Sequence, residues 1–255
     1  MKTVFITGAN KGIGFETAKQ LLQKGFYVYI GSRNLENGYT AVEKLKAEGF
    51  SEVEAIQIDV TNDLSVKAAR TEIGKKINSL DVLINNAGIS GVKFDENGNY
   101  ITETWTAEAA TIDTFKEVYE TNVYGVVRVT QAFLDLLKKA PQPRIVMVSS
   151  TVGSLTLQSD PSWDAYTFGK FAVYGSSKAA LNMFTVHLAY ELRDSAFKIN
   201  MVDPGYTKTD FTGFNGGETE QAGKRISKYA VIDQDGPTGK FFSEETNPET
   251  GEIGW

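Results

Sequence analysis

The stretch Thr7–Gly14, TGANKGIG, sets the architecture that we expect of this chain. It lies between a short apolar run, Thr3–Thr7, and a segment with helical spacing, Phe15–Lys24. Glycines in such a turn let the backbone bend sharply and come close to a ligand. The helix that follows would present free amide groups and a partial positive charge, which suit a pyrophosphate. A tight turn without a ligand is the alternative, but a position between a strand and a helix favours a dinucleotide site.

Strand-like and helix-like segments alternate along the rest of the sequence. The expected strands are Phe26–Ile30, Val53–Ile58, Val82–Ile84, Arg144–Ser149 and Lys198–Val202, with a last edge strand at Phe241–Phe242. The expected helices are Leu35–Glu48, Asp63–Asn78, Thr111–Lys139 (two helices, or one bent at Gly125) and Tyr174–Asp194. This alternation predicts an α/β fold with a doubly wound, mainly parallel sheet, in a single domain over residues 1–255. The polar segments Gly91–Ala110 and Phe211–Lys224 are expected to be loops at the ligand-binding edge of that sheet.

Composition excludes several classes of function. The chain has 255 residues, 41% of them hydrophobic, and a net charge of −6, so nucleic acid and anionic membranes are poor partners. It has no cysteine and a single histidine, His187, which argues against disulfides, thiol nucleophiles and a metal site rich in His or Cys. No signal peptide is visible, nor any apolar run of the roughly 18 residues that span a bilayer. We therefore expect a soluble cytoplasmic protein without a metal site.

The end of the second expected strand indicates which dinucleotide binds. An NAD site usually has Asp or Glu there, to bond the ribose 2′-hydroxyl. This chain has Ser32 and Arg33 instead, and Glu36 lies too far into the next helix. Arg33 can form a forked contact with a 2′-phosphate, with Ser32 as a hydroxyl donor and Lys11 as a second cation. The sequence therefore predicts NADP(H), and ordinary surface charges are the alternative interpretation of Arg33 and Lys11.

A tyrosine and a lysine one helical turn apart, Tyr174 and Lys178, are the candidates for acid–base chemistry. At positions i and i+4 their side chains share one face of the expected helix. A nearby ammonium favours the phenolate, so we expect Lys178 to lower the pKa of Tyr174 by about 1–3 units. An exposed helix pair without function is one alternative, and a second pair, Tyr166 and Lys170, is a rival. We favour Tyr174 because an apolar helical run follows Lys178, whereas Tyr166 lies among residues that disfavour a helix.

Four motifs together resemble the short-chain dehydrogenase/reductase family. They are Thr7–Gly14, Asn85-Asn86-Ala87-Gly88, Ser149-Ser150 ahead of Tyr174-x-x-x-Lys178, and Pro204-Gly205. Their order and spacing extend the resemblance over essentially the whole chain. The resemblance implies a Rossmann-type fold with a seven-stranded parallel sheet and a nicotinamide cofactor.

The resemblance also implies a catalytic tetrad. Tyr174 corresponds to the acid/base tyrosine, which gives its proton to the substrate oxygen during reduction. Ser150 corresponds to the residue that holds the substrate carbonyl, and Lys178 to the one that tunes the tyrosine and bonds the nicotinamide ribose. Asn122 corresponds to the asparagine that positions a water in the proton relay.

The resemblance and the phosphate-side residues together define the candidate cofactor site. Asp59 and Val60 resemble the adenine contact, the Asn86–Gly88 segment would lie beside the riboses, and the loop from Pro204 would place the nicotinamide amide. The full set is Gly8, Asn10, Lys11, Gly12, Ile13, Gly14, Ser32, Arg33, Asp59, Val60, Asn86, Ala87, Gly88, Pro204, Gly205, Thr207 and Thr209.

The chain departs from the usual family pattern by an insertion between Ser150 and Tyr174, around Leu157–Phe168. This insertion and the tail Gly236–Phe242 resemble the carbonyl-reductase branch of the family. An insertion at this place can cover the helices that otherwise pair subunits. The resemblance therefore leaves both a monomer and a homo-oligomer open.

The sequence as a whole predicts an NADPH-dependent reductase, with Tyr174 as general acid, that acts on the carbonyl of a small apolar ketone or aldehyde. An apolar pocket near Ser150 could be lined by Val152, Trp163, Tyr166, Phe211 and Phe214. One alternative is an NADP-linked alcohol or hydroxysteroid-type dehydrogenase that acts in oxidation. The other is a non-catalytic NADP-binding protein.

Overall fold

Seven apolar runs become the strands of one sheet. The computed structural model describes residues 1–97 and 101–255, and in that part of the chain the strands are β1 (Thr3–Ile6), β2 (Tyr27–Ser32), β3 (Val53–Gln57), β4 (Val82–Asn85), β5 (Arg144–Val148), β6 (Lys198–Val202) and β7 (Phe241–Phe242). Their order across the sheet is β3-β2-β1-β4-β5-β6-β7, and all neighbouring pairs are parallel. The prediction of a doubly wound, seven-stranded, mainly parallel sheet is confirmed.

Helices connect the strands. In the described residues they are α1 (Gly12–Gln23), α2 (Leu35–Ala47), α3 (Asp63–Lys76), α4 (Ile112–Tyr119), α5 (Val126–Leu137), α6 (Leu155–Gln158), α7 (Ala172–Glu191) and α8 (Thr219–Ala230). A π-helical turn at Glu120–Gly125 separates α4 from α5, next to the predicted bend at Gly125. Across the described ranges, no helix combines the length and the apolar character that crossing a bilayer requires.

Strand β1, in the middle of the sheet, buries both of its faces. Along β1, Phe5 belongs to the core on one side of the sheet, and Val4 and Ile6 belong to the core on the other side. The first core includes Phe133 of α5, whose ring centroid lies 4.8 Å from that of Phe5. The second core includes Leu21 of α1. Because helices cover both faces, the strands are continuous apolar runs rather than alternating ones.

The carboxyl ends of the strands bring the sequence motifs to one edge of the sheet. The strand order reverses between β1 and β4, and sheets of this kind open a ligand crevice at that point. Asn86 follows β4, and its Nδ2 donates to the carbonyl oxygens of Thr7 and Gly8 at 2.9 and 3.0 Å. This amide ties the glycine turn to the end of β4. Ser150 follows β5 and Pro204 follows β6 at the same edge.

Helix α8 corrects the prediction that Phe211–Lys224 is a loop throughout, because the segment is helical from Thr219. Its buried face includes Ala222 and Gly223, and most of its other residues are polar, so few large apolar side chains mark the helix in the sequence. A Cβ at Gly223 would lie 2.8 Å from Cγ and 3.0 Å from the carbonyl carbon of Glu16. Glycine is therefore what allows α8 to contact the backbone of α1.

Two other loop regions acquire short elements. The segment Gly91–Ala110 contains a 3-10 turn at Thr102–Thr104, and its residues 98–100 lie outside the described residues. The insertion around Leu157–Phe168 follows the start of α6 and continues as turns towards α7.

The contact between α1 and α8 predicts that Gly223→Ala is destabilising. The added methyl group would overlap the α1 backbone, so we expect the free energy of unfolding to fall by about 1–3 kcal/mol. Gly74→Ala is the matched control, because the nearest atoms to a Cβ there belong to the flexible guanidinium of Arg70. That change should be neutral or stabilising by up to about 1 kcal/mol, through helix propensity. Urea denaturation measures both variants, and equal stability of the two would contradict the close packing.

Candidate active site

Tyr174 and Lys178 lie in the first turns of α7, close to the end of β5. Lys178 has only 4% of its surface exposed, and its Nζ donates to the carbonyl oxygen of Val148 at 2.8 Å. The same nitrogen lies 5.5 Å from the centroid of the Tyr174 ring. The lysine side chain is thus buried against the end of β5, which contradicts the alternative of an exposed helix pair.

Ser150 reaches the same place from the end of β5. Its Oγ accepts a hydrogen bond from the amide of Val152 at 3.4 Å, and the Ser150 side chain lies near enough to the Tyr174 hydroxyl to act on its pKa. The turn after Ser150 sits directly on α7, because a Cβ at Gly153 would lie 2.6 Å from the Cβ of Lys178. Glycine at this position lets the serine turn approach the helix closely.

Asn122 comes from the π-helical turn and is fully buried. Its side-chain amide donates to the carbonyl oxygen of Ile89 and accepts from the Ile89 amide, each at 2.9 Å, and it also donates to Ser177 Oγ at 3.0 Å. A Cβ at Gly88 would lie 3.3 Å from Asn122 Oδ1 and 3.7 Å from Lys178 Nζ. The four predicted catalytic side chains therefore come together at the end of β4 and β5.

Burial and a nearby carboxylate set the acidity of this cluster. Burial, reinforced by Asp203, raises the pKa of Tyr174 above its ordinary value, and the nearby Ser150 side chain opposes this shift. Burial lowers the pKa of Lys178 to about 8 and raises that of Asp203 to about 6. The prediction that Lys178 lowers the pKa of Tyr174 is wrong for this structure. The ammonium bonds the carbonyl oxygen of Val148, and the desolvation of the phenol dominates.

The rival pair, Tyr166 and Lys170, lies in the turns of the insertion and not on a helix. Lys170 Nζ stands 3.7 Å from the centroid of the Tyr166 ring and donates to the carbonyl oxygen of Gln158 at 2.7 Å. Trp163, a predicted pocket residue, packs on Gly169, where a Cβ would lie 3.1 Å from the indole. These contacts hold the insertion together locally.

Three glycines shape the turn after β1. Gly8 and Gly12 have φ angles of +64° and +58°, in the left-handed region that favours glycine. A Cβ at Gly14 would lie 2.5 Å from Asn86 Nδ2, so a side chain there would separate α1 from the end of β4. The result is a close-fitting backbone cradle at the start of α1, a form that suits a pyrophosphate.

The loop after β6 extends over this cradle. Lys11, which the sequence predicts beside a 2′-phosphate, forms an ion pair with Asp210 in this structure. One residue further, the ring of Phe211 stands edge-on to that of Tyr174, with 5.2 Å between the centroids. One loop therefore contacts both the glycine turn and the tyrosine of the cluster.

Arg33 and Ser32, at the end of β2, differ in whether their side chains are free to bind a 2′-phosphate. Arg33 is exposed, and within the described part of the chain no acidic side chain forms an ion pair with it. Ser32 is buried, and its hydroxyl donates to the carbonyl oxygen of Asn34 at 2.6 Å. The guanidinium is thus free to meet an anion, whereas the serine proton is already engaged.

The remaining predicted cofactor residues follow the strands of the same edge. Asp59 and Val60 follow β3, Ala87 and Gly88 follow β4, Pro204, Gly205, Thr207 and Thr209 follow β6, and Asn10 and Ile13 are half-buried in the glycine turn. Asp59 Oδ1 accepts from the amide and hydroxyl of Thr61 at 2.9 and 2.7 Å. Among the residues described, no three His, Cys, Asp or Glu side chains are grouped to hold a metal ion.

The sequence analysis missed three charged side chains around this edge. Asp203 is buried beside the cluster, and its place between an apolar strand and Pro204 was the available signal. Arg225 of α8 donates to the carbonyl oxygen of Pro204 at 2.7 Å, and Glu245 accepts from the Tyr206 amide at 2.9 Å. Neither Arg225 nor Glu245 carries a local sequence signal, because they act on a loop that is distant in the chain.

Comparison with known proteins agrees with this geometry. The (+)-neomenthol dehydrogenase of Capsicum annuum is 33% identical, over 93% of this chain and 94% of that protein. The structure of salutaridine reductase from Papaver somniferum is similar with a TM-score of 0.81 at 29% identity, over 95% of this chain and 100% of that one. NADPH-bound carbonyl reductase from chicken fatty liver gives a TM-score of 0.81 at 28% identity, over 100% and 99% of the two chains. The family model described as short chain dehydrogenase matches residues 2–219. The chain therefore belongs to the short chain dehydrogenase family.

Proposed function

We propose that this chain is an NADPH-dependent reductase that transfers a hydride to the carbonyl carbon of a small, apolar ketone or aldehyde. The observation that carries the proposal is the convergence of Tyr174, Ser150 and the buried Lys178 at the carboxyl end of β5. A phenol and an alcohol that converge in this way can both donate to an oxygen on which negative charge develops. The resemblance to salutaridine reductase and to carbonyl reductase supports this reaction class.

Tyr174 is the general acid of the proposed reaction. It gives its proton to the substrate oxygen, while Ser150 donates a hydrogen bond to the same oxygen and fixes its position. When NADPH is bound, its nicotinamide supplies the hydride that reaches the carbonyl carbon. The carbonyl thereby gains one hydride and one proton and becomes an alcohol. Lys178 would bond the nicotinamide ribose, and Asn122 would orient the water of the proton relay.

Burial and Asp203 raise the pKa of Tyr174, so the phenol holds the proton that a general acid must donate. The reverse reaction, oxidation of an alcohol, passes through the same transition state, so the direction of turnover follows the cofactor ratio. An NADP-linked alcohol dehydrogenase is the second candidate, and the similarity to (+)-neomenthol dehydrogenase supports it.

The residues of the cofactor edge fit NADP(H). The glycine cradle leaves room for a pyrophosphate, because Gly8 and Gly12 adopt backbone angles that side chains disfavour. Arg33 is exposed and free of acidic partners in the described ranges, as a contact for the 2′-phosphate requires. Lys11 would bind the same phosphate only after its ion pair with Asp210 had broken. The NADPH-bound carbonyl reductase supports the same cofactor.

The loop after β6 supports an apolar substrate. It exposes three aromatic side chains, Tyr206, Phe211 and Phe214, and the second of these lies against Tyr174. Exposed aromatic rings beside a reacting group favour a hydrophobic partner over a sugar. We therefore propose that Phe211 contacts the substrate next to its carbonyl group.

Tyr174→Phe should lower kcat for carbonyl reduction by at least about 10²–10⁴-fold, because the general acid is lost. NADPH binding, followed by its fluorescence, should persist, since the ring and the glycine cradle remain. The assay is the decay of NADPH absorbance with a panel of small ketones and aldehydes. Tyr166→Phe is the matched control and should keep its activity. Loss of activity in Tyr166→Phe but not in Tyr174→Phe would refute the assignment, and a wild-type chain inactive on the whole panel would refute the function.

Arg33→Asp should shift cofactor preference from NADPH towards NADH by at least about tenfold in kcat/KM. A hydrogen bond to a charged group contributes about 1.5–3 kcal/mol, and the new carboxylate would also repel the 2′-phosphate. Lys2→Asp makes the same kind of charge change at the amino end of β1, on the opposite edge, and should leave the preference as it is. Unchanged selectivity in Arg33→Asp would remove Arg33 from the phosphate site.

A further inference from the structure

Asp203 is a buried carboxylate that joins the end of β6 to the segment after β7. It follows β6, has 5% of its surface exposed, and accepts a hydrogen bond from Ser243 Oγ at 2.8 Å. It stands one residue beyond Val202, which pairs with Val148 of β5, and the carbonyl oxygen of Val148 is the acceptor of Lys178 Nζ. A buried charge requires polar partners in place of water, and Ser243 supplies one of them.

Asp203 lies where two parts of the site meet. Ser149, directly before Ser150, donates its amide to the carbonyl oxygen of Val202, directly before Asp203, at 2.9 Å. Gly205 belongs to the loop that the family resemblance assigns to the nicotinamide amide. Ser243 follows β7, and its Oγ also lies 3.1 Å from the Oγ1 of Thr246. The carboxylate therefore lies beside the serine turn and connects the loop after β6 to the segment after β7.

The charge of Asp203 also acts on the first turns of α7. It favours the protonated form of both Tyr174 and Lys178. The only hydrogen bond of Lys178 Nζ within the described residues is to the uncharged carbonyl oxygen of Val148, which cannot balance an ammonium by itself. Asp203 is the negative group that offsets the burial of Lys178.

We propose that Asp203 is a positioning residue: its buried charge supports the ammonium of Lys178, and its bond to Ser243 holds the loop after β6 to the segment after β7. The inference rests on the proposed function, because the ammonium and the serine matter through the reaction at Tyr174. It adds a fifth side chain to the four that the sequence predicts.

The groups that face Asp203 define a pH window. They are Tyr174 and Lys178 from α7 and Glu245 from the segment after β7, with Arg225 of α8 paired to Glu245 at 3.4 Å. Burial, with Glu245 as a smaller cause, raises the pKa of Asp203 to about 6, so its charge is lost as the pH falls through that value. Burial lowers the pKa of Lys178 to about 8, so its charge is lost as the pH rises through that value. Both charges coexist between these limits, where we expect kcat to be highest.

Asp203→Asn removes the charge and keeps the size of the side chain. We expect the alkaline limb of the kcat profile for ketone reduction to move towards acid by about one pH unit, because Lys178 and Tyr174 then lose their protons more easily. Asp233→Asn is the matched control, a change of the same kind at an exposed carboxylate in the turn after α8, and its profile should be that of the wild type. A folded Asp203→Asn chain with an unmoved alkaline limb would overturn the proposal, even if kcat fell, because a merely structural role lowers activity without moving the limb.

Ser243→Ala provides a second variant that keeps the charge. Loss of one donor makes the Asp203 carboxylate harder to ionise, so the acid limb should move to higher pH while the alkaline limb stays in place. If Asp203→Asn does not fold, an unmoved acid limb in Ser243→Ala would contradict the proposal. The pH dependence of NADPH binding, measured by fluorescence, repeats both comparisons without turnover. A wild-type chain that binds NADPH but reduces no carbonyl would thus contradict the proposed function, whereas unmoved limbs would contradict the role of Asp203.

Discussion

The parallel pairing of β1, β4, β5 and β6 is the constraint on which the site depends. Parallel strands point their carboxyl ends to the same edge, so segments that are far apart in sequence meet there. The connection from one parallel strand to the next runs over a face of the sheet as a helix. That helix begins at the same edge, so its free amides are directed towards the crevice. The amide of Asn86, bonded to the carbonyl oxygens of Thr7 and Gly8, ties two of these strand ends together.

Close approach between segments is what converts this edge into a site. Gly14 lets α1 lie against Asn86, and Gly153 lets the serine turn lie against Lys178. In each case a single Cβ would separate the two backbones, so the glycines act by leaving space rather than by being flexible. The loop after β6 then adds Phe211 to the surface beside Tyr174.

The buried charges of the site act against the stability of the fold. Lys178 has its pKa lowered by burial, so the folded chain binds fewer protons than the unfolded chain between about pH 8 and 10.5, and stability rises with pH there. Asp203 has its pKa raised by burial, so stability falls as the pH rises from about 4 to about 6. At neutral pH both groups are charged, and both make folding less favourable than exposed groups would. Perturbed groups of this kind, gathered in a crevice, are typical of functional sites.

The fold and most of the site could be predicted from local patterns, because a buried parallel strand and a glycine turn each leave a mark on a few consecutive residues. The strands, the cradle at Gly8, and the pairing of Tyr174 with Lys178 are of this kind. Helix α8 was missed because its buried face carries small residues in a mostly polar segment, and Asp203 because its hydrogen-bond donor, Ser243, is distant in the chain. The acidity of Tyr174 was predicted in the wrong direction for a related reason. Spacing alone indicates that a lysine is near, but burial and the direction of its hydrogen bond depend on how β5, β6 and α7 pack against one another.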